Sequence, residues 1–151
     1  MVMSIHQASF ICAPTEASPI FMKKIHAENP AQSEIEIAGL GFFELYINGK
    51  KVSEDVLVPP ASDYGERDLS TLYYPIHDTF SHRVYYCRYA LSDYLICGEN
   101  TVEVQLGGGY YCQEVRTGEG KLSYGKPVLA LSLMVDGKEY RSDESWYGVI
   151  P

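Results

Sequence analysis

The sequence predicts an all-β protein, an antiparallel β-sandwich or jelly roll. Three observations lead there. Apolar residues recur with a period of two in several short segments. Turn chemistry built on Gly, Pro, Asn and Asp separates those segments, and no stretch carries a convincing amphipathic helical period.

The elements follow in chain order. Residues 1–18 read as irregular or edge structure. "PIFMKKIHA" (19–27) alternates as a strand and "NPAQS" ends it. From Ser33 the odd positions run Ile35, Ile37, Gly39, Gly41, Phe43, Leu45 and Ile47, which places them on one face of a strand. The even side is polar at its ends and apolar in the middle, so this strand is expected to be covered on both faces near its centre. Gly39 and Gly41 mark a bend or bulge where a neighbour comes close. Glu44 is the only charge of "GLGFFELYI", and it is expected near a sheet surface or paired with a neighbouring strand. Asn48-Gly49 predicts a type I′ hairpin turn, because both central residues of that turn need positive φ; "KKVS" begins the return strand.

"VLVPPASDYGERD" (56–68) reads as a loop, since Pro59 and Pro60 cannot serve a central strand. A further strand is expected over residues 83–91. One helical turn follows over residues 92–96, capped by Ser92 and stopped near Gly98. In "NTVEVQLGGGYY" Val102, Val104 and Leu106 point inward before three glycines break the strand. "VLALSLMVDGKEYR" places Leu129, Leu131, Leu133 and Val135 on one face and then turns at Asp136-Gly137. Trp146, the sole Trp, follows in "SDESW" as a plug against the sandwich.

The 151 residues are most simply one domain (1–151), long enough for a sizeable core. A formal charge of −8 and a pI near 4.9 argue against nucleic acid or an anionic membrane as the main partner. A neutral partner, a sugar or another protein, is left open. Thirteen tyrosines suit half-buried strands and sugar-stacking faces equally, so they do not decide. No apolar run is long enough to span a bilayer, and the N-terminus lacks the pattern of a secretory signal. Cys12, Cys87, Cys97 and Cys112 show no zinc spacing and are read as free thiols in a reducing cytoplasm.

"GLGFFELYINGKKV", "VPPASDY", "SHRVYYCRYALSDYL", "GENTVEVQLGGGYY" and "SDESW" occur in an order and spacing that resemble the N-terminal accessory domain of bacterial α-L-rhamnosidases. The matches run from about Pro19 to Trp146. Each piece alone recurs in many β-proteins; five in order make the set specific. The resemblance implies a jelly-roll-like, galactose-binding-domain-like sandwich related to carbohydrate-binding modules. It also implies a parent enzyme that removes terminal L-rhamnose with a separate helical (α/α)6 barrel, for which this chain has no room. The chain therefore resembles an excised domain or truncated product, not an enzyme by itself. Its implied partners are a rhamnose-containing glycoside and the catalytic barrel of the parent chain. Three departures stand out: Ala90 replaces the family's aspartate, Tyr110 replaces the usual Trp of the glycine-rich loop, and the segment between Tyr64 and His82 is longer than in the shortest relatives.

The candidate sugar contacts are Tyr110 and Tyr111 after the glycines, and Asp63 and Tyr64 in the Pro-rich loop. Aromatic faces stack on sugar C–H faces, and a carboxylate accepts from hydroxyls. Against this stand a bulge whose tyrosines pack at the sandwich edge and an Asx-turn at Asp63. No cofactor is required. Calcium, which some related modules use, would find oxygen ligands at Glu66 and Asp68, although their spacing matches no EF-hand. His77, Asp78 and His82 lack a supporting third zinc ligand and read as a solvated loop. No nucleophile motif is present. Asp63, Asp143 and Glu144 are carboxylates of the kind a glycosidase needs, but any chain with twenty acids contains such pairs. The expected function is recognition of rhamnose-bearing substrate; the alternative is a structural module that docks the catalytic domain and binds no sugar.

Overall fold

The computed structural model describes residues 3–13, 18–65, 82–112 and 123–149. Among the described residues ten strands form two antiparallel sheets. The first contains β1 (Ile11–Cys12), β3 (Glu34–Leu40), β6 (Cys87–Ala90), β8 (Val128–Val135) and β9 (Lys138–Arg141). The second contains β2 (Ile20–Ala27), β4 (Phe42–Ile47), β5 (Lys50–Lys51), β7 (Gly98–Gly107) and β10 (Tyr147–Val149). The first sheet runs β1-β8-β3-β6, with β9 also paired to β8; the second runs β10-β2-β7-β4-β5. Orders 1-8-3-6 and 2-7-4-5 result when a chain alternates between two facing sheets as a double Greek key. The fold is thus a jelly-roll β-sandwich with two added strands, β9 and β10.

The core lies where the predicted inward residues meet. Ile35, Ile37, Leu129, Leu131, Leu133 and Val135 from the first sheet face Phe21, Ile25, Phe43, Leu45, Ile47, Val102, Val104 and Leu106 from the second, all buried in one cluster. Each such side chain contributes about 2 kcal/mol by leaving water. Trp146 closes the same cluster at 4% exposure and donates its Nε1–H to the Arg141 carbonyl at 3.0 Å. The plug role expected for it is what the structure shows.

The long strand expected after Ser33 is two strands. β3 and β4 belong to different sheets, and the chain crosses between them at Gly41, where φ is 85°. A Cβ there would lie 1.9 Å from the Gly107 carbonyl oxygen, so only glycine fits the crossing. Gly39 is crowded too, by Phe43 Cβ at 2.9 Å from its would-be Cβ. The close neighbours were anticipated; the change of sheet was not. Asn48 and Gly49 take φ of 53° and 78°, and Asp136 and Gly137 take 53° and 71°, as their hairpin turns require.

Other boundaries moved. The strand expected over residues 83–91 is confined to Cys87–Ala90. The helical turn closes one residue early, with Tyr94 and Leu95 amides both donating to the Leu91 carbonyl at 3.0 Å. β2 ends before a 3-10 turn at Pro30–Gln32, where the Asn29 side chain accepts from the Ala31 amide at 3.2 Å.

The N-terminal segment has a role that its irregular pattern conceals. A 3-10 turn at Ile5–Gln7 lies on the outer face of the first sheet, with Ile5 packed against Ala38 and Ala130. Glu36, 3% exposed on that face, accepts the Ile5 amide at 2.9 Å and is paired with Arg88. Ser132 is fully buried there and donates to Glu139 at 2.5 Å.

Candidate functional site

The predicted aromatic candidates converge at one end of the sandwich. Beyond β7 the chain turns tightly, and the Cys112 amide donates to the Gly108 carbonyl at 3.1 Å. Gly109, with φ 48°, lies under the Phe42 ring; a Cβ there would come within 2.6 Å of it. That close approach fixes where Tyr110 and Tyr111 leave the strand. The Tyr111 carbonyl then accepts the Tyr124 amide at 2.8 Å, drawing the 123–127 segment alongside.

Four rings meet as a result. Tyr111 and Tyr124 stack with centroids 5.5 Å apart and planes 18° from parallel. Tyr64 stands edge-on to both, at 5.1 Å from Tyr111 and 5.3 Å from Tyr124. Tyr110 approaches Tyr124 at 6.4 Å in a tilted arrangement. Such aromatic pairs contribute about 0.5–1.5 kcal/mol each beyond their burial. Sequence reasoning selected Tyr64, Tyr110 and Tyr111 and missed Tyr124. Its only local signal was a position in the "SYGKP" turn, and its partner Tyr64 comes from a different connection.

The loop carrying Asp63 and Tyr64 is held to the start of the 82–112 segment. The Arg83 amide donates to the Asp63 carbonyl at 3.0 Å, and the Ser62 hydroxyl donates to the Arg83 carbonyl. Burial raises the Tyr64 hydroxyl pKa, against the pull of hydrogen bonds from Ser62. Burial likewise raises that of Tyr111. Both phenols are therefore neutral at physiological pH and offer ring faces plus a hydroxyl that donates and accepts. Asp63 is half-buried beside them.

The other candidates are dispersed. Glu66, Asp68, His77 and Asp78 lie outside the described residues, and His82 is exposed. Among the described residues no three His, Cys, Asp or Glu side chains are placed to hold a metal ion. Asp143 and Glu144 are exposed, far in the chain from Asp63, and Asp143 accepts from the Ser145 amide at 2.8 Å. The four cysteines carry free thiols. Glu44 is paired as expected, accepting from Lys51 at 2.8 Å and from the Tyr46 hydroxyl at 2.6 Å.

A second surface feature was not foreseen. Phe10 (57% exposed) and Tyr86 (43%) flank a groove of about 420 Å³ floored by Ala38 and Ala130. His6 stands edge-on to Tyr86 at 6.3 Å, and Arg83 lies at the rim.

Fold and site together define a jelly-roll module with an aromatic cluster at one end and, among the described residues, no catalytic constellation. Residues 28–148 match the family described as alpha-L-rhamnosidase N-terminal domain. The chain belongs to that family. It is 29% identical over 141 residues to an α-L-rhamnosidase of Formosa agariphila, covering 86% of this chain and 13% of the relative. The crystal structure of the Aspergillus terreus α-L-rhamnosidase superposes with a TM-score of 0.67 at 25% identity, over 96% of this chain and 17% of that one. The Streptomyces avermitilis α-L-rhamnosidase complexed with L-rhamnose shares the fold, with a TM-score of 0.62 at 23% identity over 88% of this chain and 12% of that one. The chain thus spans about an eighth to a sixth of the relatives it matches.

Proposed function

We propose that this chain is a non-catalytic accessory domain of an α-L-rhamnosidase and helps hold rhamnose-bearing substrate while a separate (α/α)6 barrel performs hydrolysis. The observation that carries this reading is the convergence of Tyr64 from the β5–β6 connection with Tyr110, Tyr111 and Tyr124 from the β7–β8 connection, in a chain of this family. Two features support it: rings already packed against one another lose little freedom on meeting a sugar, and neutral phenols match neutral hydroxyls. A shallow site of this kind binds weakly, with a Kd on the order of millimolar. Titrating the domain with L-rhamnose, with and without calcium, should move the amide signals of the tyrosine loops, and Tyr111→Ala should abolish the response. No movement up to tens of millimolar sugar, in either condition, rejects sugar recognition. No rhamnosidase turnover is expected of the chain alone.

A second reading is favoured by a different observation, the exposure of Phe10 and Tyr86 around an apolar groove. On this reading the outer face of the first sheet docks the catalytic domain. Mixing this chain with a separately expressed α-L-rhamnosidase catalytic domain of its own protein should give a complex that Phe10→Ser weakens. Two species running independently on gel filtration would count against docking.

A further inference from the structure

A hollow on the outer face of the second sheet, lined by none of the four tyrosine rings, has the chemistry of a sugar site. Three strands build it in register. Ile20 of β2 lies opposite Gln105 of β7, and Gln105 lies opposite Glu44 of β4. One step along, Phe42 of β4 faces Gly107. Gly107 leaves the missing side chain of this row unfilled. Its backbone is not in the left-handed region, and the nearest atom to an added Cβ is Phe42 Cβ at 4.0 Å. The glycine is therefore required neither by conformation nor by crowding, and what it provides is space. The resulting depression measures about 490 Å³.

The walls are prepared before any ligand arrives. The Phe42 ring is held by its contact with Gly109. Glu44 is oriented by Lys51 and Tyr46, yet each carboxylate oxygen retains a further lone pair. Gln105 donates one Nε2–H to Glu103 at 2.8 Å and keeps its other N–H and its carbonyl. Leu57, which lines the opposite rim, is 69% exposed and held at φ 56°. An exposed leucine in a backbone region that branched side chains avoid is the kind of strain that accompanies a binding role.

We propose that this hollow binds a 6-deoxy sugar ring, with Ile20, Phe42 and Leu57 against its methyl group and C–H face and Glu44 and Gln105 hydrogen-bonded to its hydroxyls. The identity of the sugar rests on the α-L-rhamnosidase reading above; the place and chemistry of the site rest on the geometry. A ring with one apolar edge matches a hollow with apolar walls on one side and a carboxylate-amide pair on the other.

The test is a two-dimensional NMR titration of the chain with L-rhamnose and, in parallel, with L-mannose, which differs by a hydroxyl on that methyl carbon. L-Rhamnose should shift the amides of Phe42, Glu44, Leu57, Gln105 and Gly107, and L-mannose should bind at least several-fold more weakly. Gly107→Val, which fills the hollow, should remove these shifts. Leu57→Gly relieves the backbone strain while removing a wall, so it should weaken binding at least threefold in a protein that is no less stable. Shifts confined to the tyrosine loops overturn this site and leave the proposed function standing, whereas no shift anywhere overturns both. Equal response to the two sugars, or unchanged affinity in Leu57→Gly, overturns the assignment as well.

Discussion

The Asn48 side chain is bonded to that of Asn100, Nδ2 donating to Oδ1 at 2.8 Å across the mouth of the β4–β5 hairpin. Asn100 is 1% exposed, and the same oxygen accepts the Ile96 amide at 2.9 Å while its amide donates to the Ile96 and Gly98 carbonyls. Asn48 in turn exchanges bonds with Thr101, side chain and backbone each at 2.9 Å. The turn residue thus ties the hairpin to the start of β7. Asn100→Ala strands several buried backbone groups and should cost about 3 kcal/mol, lowering Tm by roughly 6–12 °C in a calorimetric scan. Asn48→Gly keeps the turn conformation and should cost only about 1 kcal/mol.

Gly41 and Gly49 both have positive φ but differ in surroundings. A Cβ at Gly41 would meet backbone at 1.9 Å, whereas at Gly49 it would meet nothing within 4 Å. Gly41→Ala should therefore cost about 3 kcal/mol or more, enough to threaten folding, through displacement of β7 from the crossing. Gly49→Ala should cost about 1 kcal/mol, the conformational term alone. Urea denaturation of the two variants checks the contrast, and similar midpoints would contradict the steric account.

Acid should destabilise the domain. The hydrogen bond from Arg141 holds the Glu139 carboxyl below its usual range despite burial, with help from Ser132 and the Ser4 amide. Hydrogen bonds from Lys51 and Tyr46 do the same for Glu44, and those from Ser145 for Asp143. Each group binds its proton more readily in the unfolded chain, so its stabilisation is present above the unfolded value and is lost as pH falls through the folded one. The urea midpoint should be level from neutral pH to about pH 5 and should drop below about pH 4.3. Glu139→Gln should start lower and decline less steeply.

The N-terminal cover should loosen when Glu36 is removed. That carboxylate accepts the Ile5 amide and pairs with Arg88 from the face the cover protects. An apolar replacement such as Glu36→Leu leaves the sheet packed but deprives the Ile5 amide of its acceptor. Hydrogen exchange at Ile5 should accelerate about tenfold or more, while the β3 and β8 ladder amides keep their protection. Unchanged exchange at Ile5 would mean the apolar contacts alone hold the segment.

Much of this protein was legible in its sequence because the governing forces are local. Alternation sets which side of a strand meets the core, and Asn48-Gly49 and Asp136-Gly137 sit where two consecutive residues must take positive φ. The antiparallel sandwich, the inward sets on β7 and β8 and the plug at Trp146 followed from those patterns and from the family resemblance; the order of the strands within each sheet came only from the structure. The crossing at Gly41 did not. In two facing sheets the odd residues of β3 and of β4 both point into the same core, so Ile35, Ile37, Phe43, Leu45 and Ile47 keep one parity through the crossing. A continuous period of two is then identical for one strand and for two.

Tertiary contacts alone decided the rest. Glu36 and Ser132 are buried because residues from the far N-terminus lie over them, a pairing separated by 31 positions at the Ile5–Glu36 bond and invisible to any local window. Tyr124 joined Tyr64 for the same reason: the β5–β6 and β7–β8 connections reach one rim, and only the packed sandwich brings them together. The hollow beside Gly107 likewise exists only as a register between three strands. Sequence determined which residues face inward; the meeting of distant segments determined where the tyrosine rings and the hollow form.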